Sequence, residues 1–290
     1  MDRFRELMLK AEDGIEFKVL EESGKIVICA VKNEYGDYTN PPIPEGYRHV
    51  CGEWNNGFVI ERFSDKSQFV WIPVGCLKSN GTVDGALFNE KFGRRKYPGR
   101  NDVSKSKDGK NFEKRIASVK KYGGFYISRY DITKNKKTGE IQSVKSQEVF
   151  RASYYWALRY AREFEKNDSI DSHLLLGSEY DSVLEWFKES CEFDIENNSE
   201  WKEKQSINRI LNFAGNESKI TAERKGDFVV IIRGTKFDRK KEYNATTRFA
   251  GTIYSESEYC FRIALCVEWK KVAVLNFQNR YFFMNIFIKL

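Results

Sequence analysis

Six cysteines and two histidines carry most of the chemical capacity of this chain, because thiolates and imidazoles serve as nucleophiles, bases and metal ligands. The cysteines are Cys29, Cys51, Cys76, Cys191, Cys260 and Cys266. Their spacing is irregular and no CxxC occurs, which excludes a zinc ribbon and a thioredoxin-like motif. Asp171, Ser172 and His173 are neighbours in sequence, whereas the members of a catalytic triad usually come from separate elements.

The net charge of +7 belongs to one segment. Residues 94–121 contain eleven Lys and Arg against three acidic residues, leaving 38 basic and 39 acidic residues elsewhere. We interpret this segment as a solvated loop, with contact to a polyanion as the alternative. Nucleic acid is therefore not the expected partner. Nucleotide binding through a glycine-rich loop has no support either, since neither GxGxxG nor GxxxxGK[ST] occurs.

Localisation is expected to be cytoplasmic, with the cysteines as reduced thiols. The first residues, MDRFRELMLKAEDG, are charged throughout and contain no apolar core of a signal peptide. No run approaches the length of a transmembrane helix.

The chain pattern predicts three regions: an accessory segment at residues 1–45, a main domain at 46–270 and a tail at 271–290. The accessory segment is expected to hold a helix over residues 2–10 and a β-hairpin of residues 15–20 and 25–31 that turns at Ser23-Gly24. The prolines of residues 40–44 mark its end. Further strands are predicted at residues 57–60, 68–75, 121–133, 228–233 and 259–269.

Two helices are predicted in the main domain. Residues 153–166 begin at the possible cap Ser153, with Trp156, Ala157, Tyr160, Ala161 and Phe164 on one apolar face. Residues 178–188 place Ser178 and Asp181 at capping-box spacing, with an apolar stripe of Tyr180, Val183, Leu184 and Phe187. Strands, two helices, a long irregular region and more strands make an α+β pattern.

Several short islands resemble the formylglycine-generating enzyme (sulfatase-modifying factor) family, in the order that this family shows. They are FVWIPVG at residues 69–75, FYISRYDIT at 125–133, Ala157 and Tyr160 in the first helix, HLLLGSEYD at 173–181, LNFAGN at 211–216, Arg233-Gly234 and FRIAL at 261–265. The resemblance spans about two thirds of the chain. It implies a C-type-lectin-like α+β fold with much irregular structure.

The departures from the family concern its chemistry. Active members oxidise a substrate cysteine with a copper-binding cysteine pair that follows the Arg-Gly island, and those positions fall here near Arg239 and Asn244. Neither side chain replaces a thiolate as a ligand for Cu(I). Cys260 and Cys266, six residues apart, are the only nearby substitutes, and we interpret Cys260 as an ordinary buried thiol.

Metal sites of related proteins find little support in this sequence. Related iron enzymes use a histidine cluster, whereas this chain has His49 and His173, and we interpret His173 as a structural or surface residue. The family's calcium site has weak counterparts in Asn212, Asn216 and Glu217, but Lys219 replaces an expected acid. An Asn-Gly turn closed by side-chain hydrogen bonds is the preferred interpretation, so no cofactor is expected and calcium is the alternative.

The function predicted from these observations is a non-catalytic ligand-binding or interaction module, such as a variable display protein of bacterial or phage type. Its presenting face is predicted after Arg233-Gly234, because loops on a stable framework tolerate variation. The candidate ligand-binding residues are Lys236, Asp238, Arg239, Tyr243, Asn244 and Arg248. Their chemistry suits a polar or anionic partner: a carbohydrate, a peptide or a protein surface. The alternative is an oxidoreductase of the sulfatase-modifying-factor type, or a related metal-dependent enzyme, with relocated active-site residues.

Overall fold

The chain divides into two compact units. One comprises Pro41–Glu268, and the other comprises Met1–Asn40 together with Trp269–Leu290. The computed structural model describes residues 15–20, 25–30, 40–74, 76–77, 83–84, 114–115, 118–119, 121–146, 148–165, 167, 169–191, 206–213, 217–234 and 245–267.

In the smaller unit the described residues form one β-hairpin. Strand β1 (Ile15–Leu20) pairs antiparallel with β2 (Lys25–Ala30), as the alternating pattern predicts. The predicted turn at Ser23-Gly24, the helix over residues 2–10 and the tail at 271–290 lie outside the described residues.

The larger unit contains helices and short strands in a mixed order. The strands are β3 (Tyr47–Cys51), β4 (Val59–Arg62), β5 (Gln68–Pro73), β6 (Cys76–Leu77), β7 (Val83–Asp84), β8 (Gly124–Ser128), β9 (Thr133–Lys134), β10 (Ile141–Gln142), β11 (Ile170–Leu174), β12 (Ser206–Ile207), β13 (Ile210–Leu211), β14 (Lys219–Lys225), β15 (Val229–Arg233), β16 (Arg248–Thr252), β17 (Cys260–Phe261) and β18 (Ile263–Val267). The helices that the structure describes over their full length are α1 (Tyr154–Glu163) and α2 (Gly177–Cys191).

A six-stranded antiparallel sheet in the order β11-β18-β8-β5-β4-β3 forms the centre of this unit. Alternate residues of a strand point to opposite faces of the sheet, so an apolar strand such as β5 contributes side chains to two hydrophobic cores. Phe69 and Trp71 share one core with residues of α1, and Val70 and Ile72 share the other with residues of α2. Of the two helices named above, α1 therefore lies on one side of the sheet and α2 on the other.

A second sheet of four strands, in the order β16-β15-β14-β17, adds its apolar side chains to the core on the α1 side. Its pairs are antiparallel except for β14 with β17, which are parallel. The described residues thus form an α+β fold of mostly antiparallel sheets without a barrel.

The strand predicted over residues 259–269 is divided between the two sheets at Arg262. The residues before Arg262 belong to β17 and those after it to β18. The Arg262 guanidinium is fully buried and donates to the backbone oxygen of Ser128 at 2.7 Å. This residue therefore ties the junction of the sheets to the end of β8.

Close backbone approach explains Gly124, the first residue of β8 and the second of two consecutive glycines. A Cβ added to Gly124 would lie 2.3 Å from the backbone oxygen of Ile72 and 2.5 Å from the Trp71 ring. Glycine is required there because β5 and the Trp71 side chain fill the space of any larger residue. The predicted strand over 121–133 is shorter, and Thr133–Lys134 pairs separately with β10.

The apolar face predicted for α1 is wrong at Trp156, whose exposure is 51%. The buried helical residues are Tyr154, Ala157 and Ala161, so small side chains let the helix lie close to the sheet. Ser153 occupies the N-cap with an extended backbone but makes no side-chain capping bond.

In α2 the predicted stripe is buried, whereas the predicted capping pair is wrong. The helix begins at Gly177, so Glu179 holds the third helical position and accepts the Leu176 N–H at 2.8 Å. Asp181 instead pairs with Arg233.

Among the described helices, none has the length and apolar character to cross a bilayer.

Candidate functional site

The candidate ligand face follows β15, and the structure describes its two ends. Arg233 at the end of β15 pairs in register with Arg248 at the start of β16, and the Gly234 N–H donates to the Thr247 oxygen at 3.2 Å. Both ends of the connection between these strands are therefore fixed side by side. The predicted residues Lys236, Asp238, Arg239, Tyr243 and Asn244 lie outside the described residues.

Four charged residues meet at these ends, and we call them the base cluster: Asp181, Glu223 and Arg233, which are buried, and Arg248, which is partly buried. The Arg233 guanidinium is fully buried, contacts Asp181 and lies 3.4 Å from Glu223. The Arg248 guanidinium contacts the same Glu223 carboxylate. Two cations and two anions make the base cluster neutral, as burial in a low-dielectric interior requires.

Arg248 was predicted as a ligand-binding residue, and the structure places it in the base cluster. Its side chain is 9% exposed and its guanidinium is directed at Glu223. In this position it supports the connection between β15 and β16.

Tyr180 of α2 fixes the far end of the same connection. Its hydroxyl donates to the Ala245 oxygen at 3.3 Å, and its ring lies 4.6 Å from the Arg233 guanidinium carbon. Burial raises the pKa of Tyr180, so the hydroxyl stays a neutral donor. The ring also stacks on Phe213 at a centroid distance of 4.6 Å. Helix α2 thus contacts both ends of the candidate face.

Of the three residues predicted as weak calcium ligands, the structure describes Asn212 and Glu217. Asn212 has a left-handed backbone with φ of 52°, Asn216 lies outside the described residues, and the Glu217 carboxylate accepts from Arg151. Burial opposes ionisation of Glu217, but the hydrogen bonds from Arg151 and Cys260 outweigh it and lower its pKa. A carboxylate engaged in this way offers little charge to a cation.

The cysteines considered as a substitute copper pair lie in different sheets. The Cys260 thiol of β17 donates to Glu217 at 2.5 Å, and burial raises its pKa to about 12. Cys266 belongs to β18 and packs in the core on the α2 side. The two thiols therefore have separate surroundings.

His173 is buried, which excludes the surface alternative of the sequence interpretation. Its Nε2 lies 2.8 Å from Glu179 Oε1, and its Nδ1 lies 3.4 Å from Asp171 Oδ2. Asp171 is in turn held by the Arg115 guanidinium. Burial and Arg115 lower the pKa of His173, but the two carboxylates outweigh them and raise it.

A hollow of about 470 Å³ lies elsewhere in the same unit, and the sequence offered no motif for it. It is lined by Glu45, Gly46, Tyr47, Arg62, Phe63, Ser64, Glu165 and Asn167. The Tyr47 hydroxyl donates to Glu165 at 2.8 Å, and the Arg62 guanidinium lies 3.9 Å from the Phe164 ring centre. The same guanidinium lies 3.5 Å from the Glu165 carboxylate, so the Tyr47, Arg62 and Glu165 side chains are already paired with one another.

No protein-family model, no curated protein and no solved structure matches the chain.

Proposed function

We propose that this chain is a non-catalytic ligand-binding or interaction module on a formylglycine-generating-enzyme-like, C-type-lectin-like scaffold. The observation that carries the proposal is the fixed base of the candidate face. The ends of the connection are paired at Arg233 and Arg248, bonded at Gly234 and Thr247, and rest on the buried base cluster. A rigid base that presents a polar, variable segment is the usual construction of a binding loop.

The placement of the resembling islands supports the scaffold part of the proposal. The 69–75 island supplies β5, the 125–133 island supplies most of β8, and the 261–265 island reaches into β18. These three strands are neighbours in the six-stranded sheet. The 173–181 island joins the end of β11 to the start of α2. Segments far apart in sequence thus form one structural unit.

The ligand chemistry follows from the side chains of the presenting segment. Lys236 and Arg239 bring positive charge, Tyr243 brings an aromatic face and Asn244 an amide. Guanidinium and amide groups form directed hydrogen bonds to carboxylate, phosphate or hydroxyl groups, and an aromatic ring packs on a sugar or peptide face. We therefore propose a polar or anionic carbohydrate, peptide or protein surface as the ligand, met in a reduced, cytoplasmic setting.

A screen on arrays of glycans and peptides tests this proposal. The intact chain should bind a defined subset, and the triple variant Arg239→Ala/Tyr243→Ala/Asn244→Ala should lose those signals. Lys136→Ala is the matched control, since its exposed ammonium pairs with Glu148 on another part of the unit. Equal binding by the triple variant and the intact chain would refute this assignment of the site.

The alternative, an oxidoreductase with relocated residues, is tested separately. It predicts that the purified protein contains stoichiometric copper. It also predicts that the protein converts cysteine to formylglycine in a sulfatase-type peptide. Cys260→Ser and Cys266→Ser would each abolish that conversion if the two thiols had taken over the role of the pair. Conversion by the intact chain would replace the binding proposal with an enzymatic function.

A further inference from the structure

Three potential metal ligands converge in the core between the six-stranded sheet and α2. One donor atom each from His173, Glu179 and Cys266 lies within 4.8 Å of the other two. The exposures of the three residues are 2%, 0% and 1%. They come from β11, α2 and β18, so the convergence is a product of the tertiary fold and leaves no trace as a sequence motif.

The strand register explains how two of the three ligands meet. In the antiparallel pair β11 and β18, His173 lies opposite Ala264 and Asp171 lies opposite Cys266. Residues two apart on a strand point to the same face, so His173 and Cys266 are diagonal neighbours. Both Ala264 and Cys266 belong to the core that α2 covers. Glu179, in the first turn of α2, is then placed above them.

Two of the three ligand side chains, those of Glu179 and His173, are oriented by a partner outside the cluster. Glu179 uses Oε2 to accept the Leu176 N–H at 2.8 Å, which leaves Oε1 directed at His173. His173 turns Nε2 to the cluster and Nδ1 to Asp171, and Arg115 holds Asp171. A histidine that binds a metal through one nitrogen and a carboxylate through the other is the common arrangement in metalloproteins.

We propose that His173, Glu179 and Cys266 form a zinc-binding site. Zinc accepts nitrogen, sulfur and oxygen ligands in one tetrahedral site, whereas calcium and magnesium require oxygen ligands alone. Three protein ligands leave the fourth position to a water molecule.

The local charges balance with a dication. With zinc bound, the Cys266 thiolate, Glu179 and Asp171 supply three negative charges against Zn²⁺ and Arg115. The formal charges of the occupied site therefore cancel, and no uncompensated charge is left in the core.

The ion would fasten the first turn of α2 to the sheet. Tyr180 and Asp181 follow Glu179 directly and contact Ala245 and Arg233 at the ends of the candidate face. The zinc site would therefore steady that face from below, although its existence does not depend on the proposed ligand.

The test uses the full chain, stripped of metal with a chelator and titrated with Zn²⁺ or with Co²⁺ as a spectroscopic substitute. We expect one equivalent to bind, Co²⁺ to show a thiolate charge-transfer band, and Zn²⁺ to raise the midpoint of thermal unfolding, because it binds the folded state. Cys266→Ser should abolish the band, and His173→Gln should weaken binding. Asp171→Asn, a change in a positioning residue, should weaken zinc binding about 10- to 100-fold.

Cys260→Ser and His49→Gln are the matched controls, because they remove another buried thiol and the other histidine. Both should bind metal as the intact chain does. The proposal is overturned if zinc leaves the unfolding midpoint of the intact chain unchanged. It is also overturned if Cys266→Ser and His173→Gln keep full affinity. Should either variant fail to fold, the midpoint of the intact chain and the affinity of Glu179→Gln decide.

Discussion

Replacing Arg233 with methionine should destabilise the protein strongly, because it leaves Asp181 and Glu223 buried with Arg248 as their remaining partner in the base cluster. The Arg233 side chain is fully buried and contacts both carboxylates. Removing one partner of a buried ion pair costs about 3 to 5 kcal/mol. For a unit of this size, that loss lowers the unfolding midpoint by roughly 6 to 20 °C.

The assay is urea unfolding followed by tryptophan fluorescence, with the free energy extrapolated to water. The double variant Asp181→Asn/Arg233→Met should be more stable than the sum of its single variants predicts, since it restores charge balance. Arg159→Met is the control: its pair with Glu163 is exposed, so the change should cost about 0.5 kcal/mol or less. A cost for Arg233→Met as small as that of the control would refute the base cluster as a structural element.

Three further predictions concern other parts of the larger unit. Burial raises the pKa of Asp65, but hydrogen bonds from Arg62 and Ser67 outweigh it and lower the net value. Asp65→Asn should therefore lower the free energy of unfolding by its full amount above about pH 5. This difference from the intact chain should vanish as pH falls through the folded pKa of Asp65, as measured by urea unfolding over a range of pH. Gly124→Ala should cost about 1 to 3 kcal/mol, because its Cβ would overlap β5; a neutral result in thermal unfolding would contradict the close packing. Trp156→Ala should change the unfolding free energy by less than about 1 kcal/mol, since the ring is half exposed, and a core-sized loss would contradict its position.

Hydrophobic patterns predicted the elements of this fold well where they are long and regular. The stripe of Tyr180, Val183, Leu184 and Phe187 specifies the buried face of α2, and the apolar run of β5 specifies a strand buried on both faces. Such patterns report local periodicity. The pattern fails at Trp156. The apolar residues of α1 allow more than one choice of the helix face that turns to the core, and only packing selects one of them.

Contacts between residues far apart in sequence determine two features that the sequence pattern did not predict. Ser178 and Asp181 have the sequence spacing of a capping box. Only the folded chain shows that the partner of Asp181 is Arg233, 52 residues away. The division of the last strand at Arg262 likewise depends on contacts with Ser128, in another element. Long-range ion pairs leave no local spacing signal, since any acid and any base can form them.

The candidate site illustrates the same limit. Sequence reasoning located the connection after Arg233-Gly234, and the structure describes its ends at Gly234 and Ala245. It left a structural or a surface role open for His173 and did not identify Glu179 and Cys266 as its neighbours. The signal available in the sequence was the rarity of histidine: the chain contains only two, and His173 lies shortly before the start of a predicted helix.

Hydrogen exchange with and without the tightest ligand from the array screen tests the central claim most directly. If the connection between β15 and β16 is the binding face, ligand should slow exchange of backbone amides within residues 234–248. The hollow lined by Tyr47, Arg62 and Glu165 serves as the internal comparison, and its amides should be unaffected. Protection at the hollow, with unchanged exchange over residues 234–248, would contradict the account.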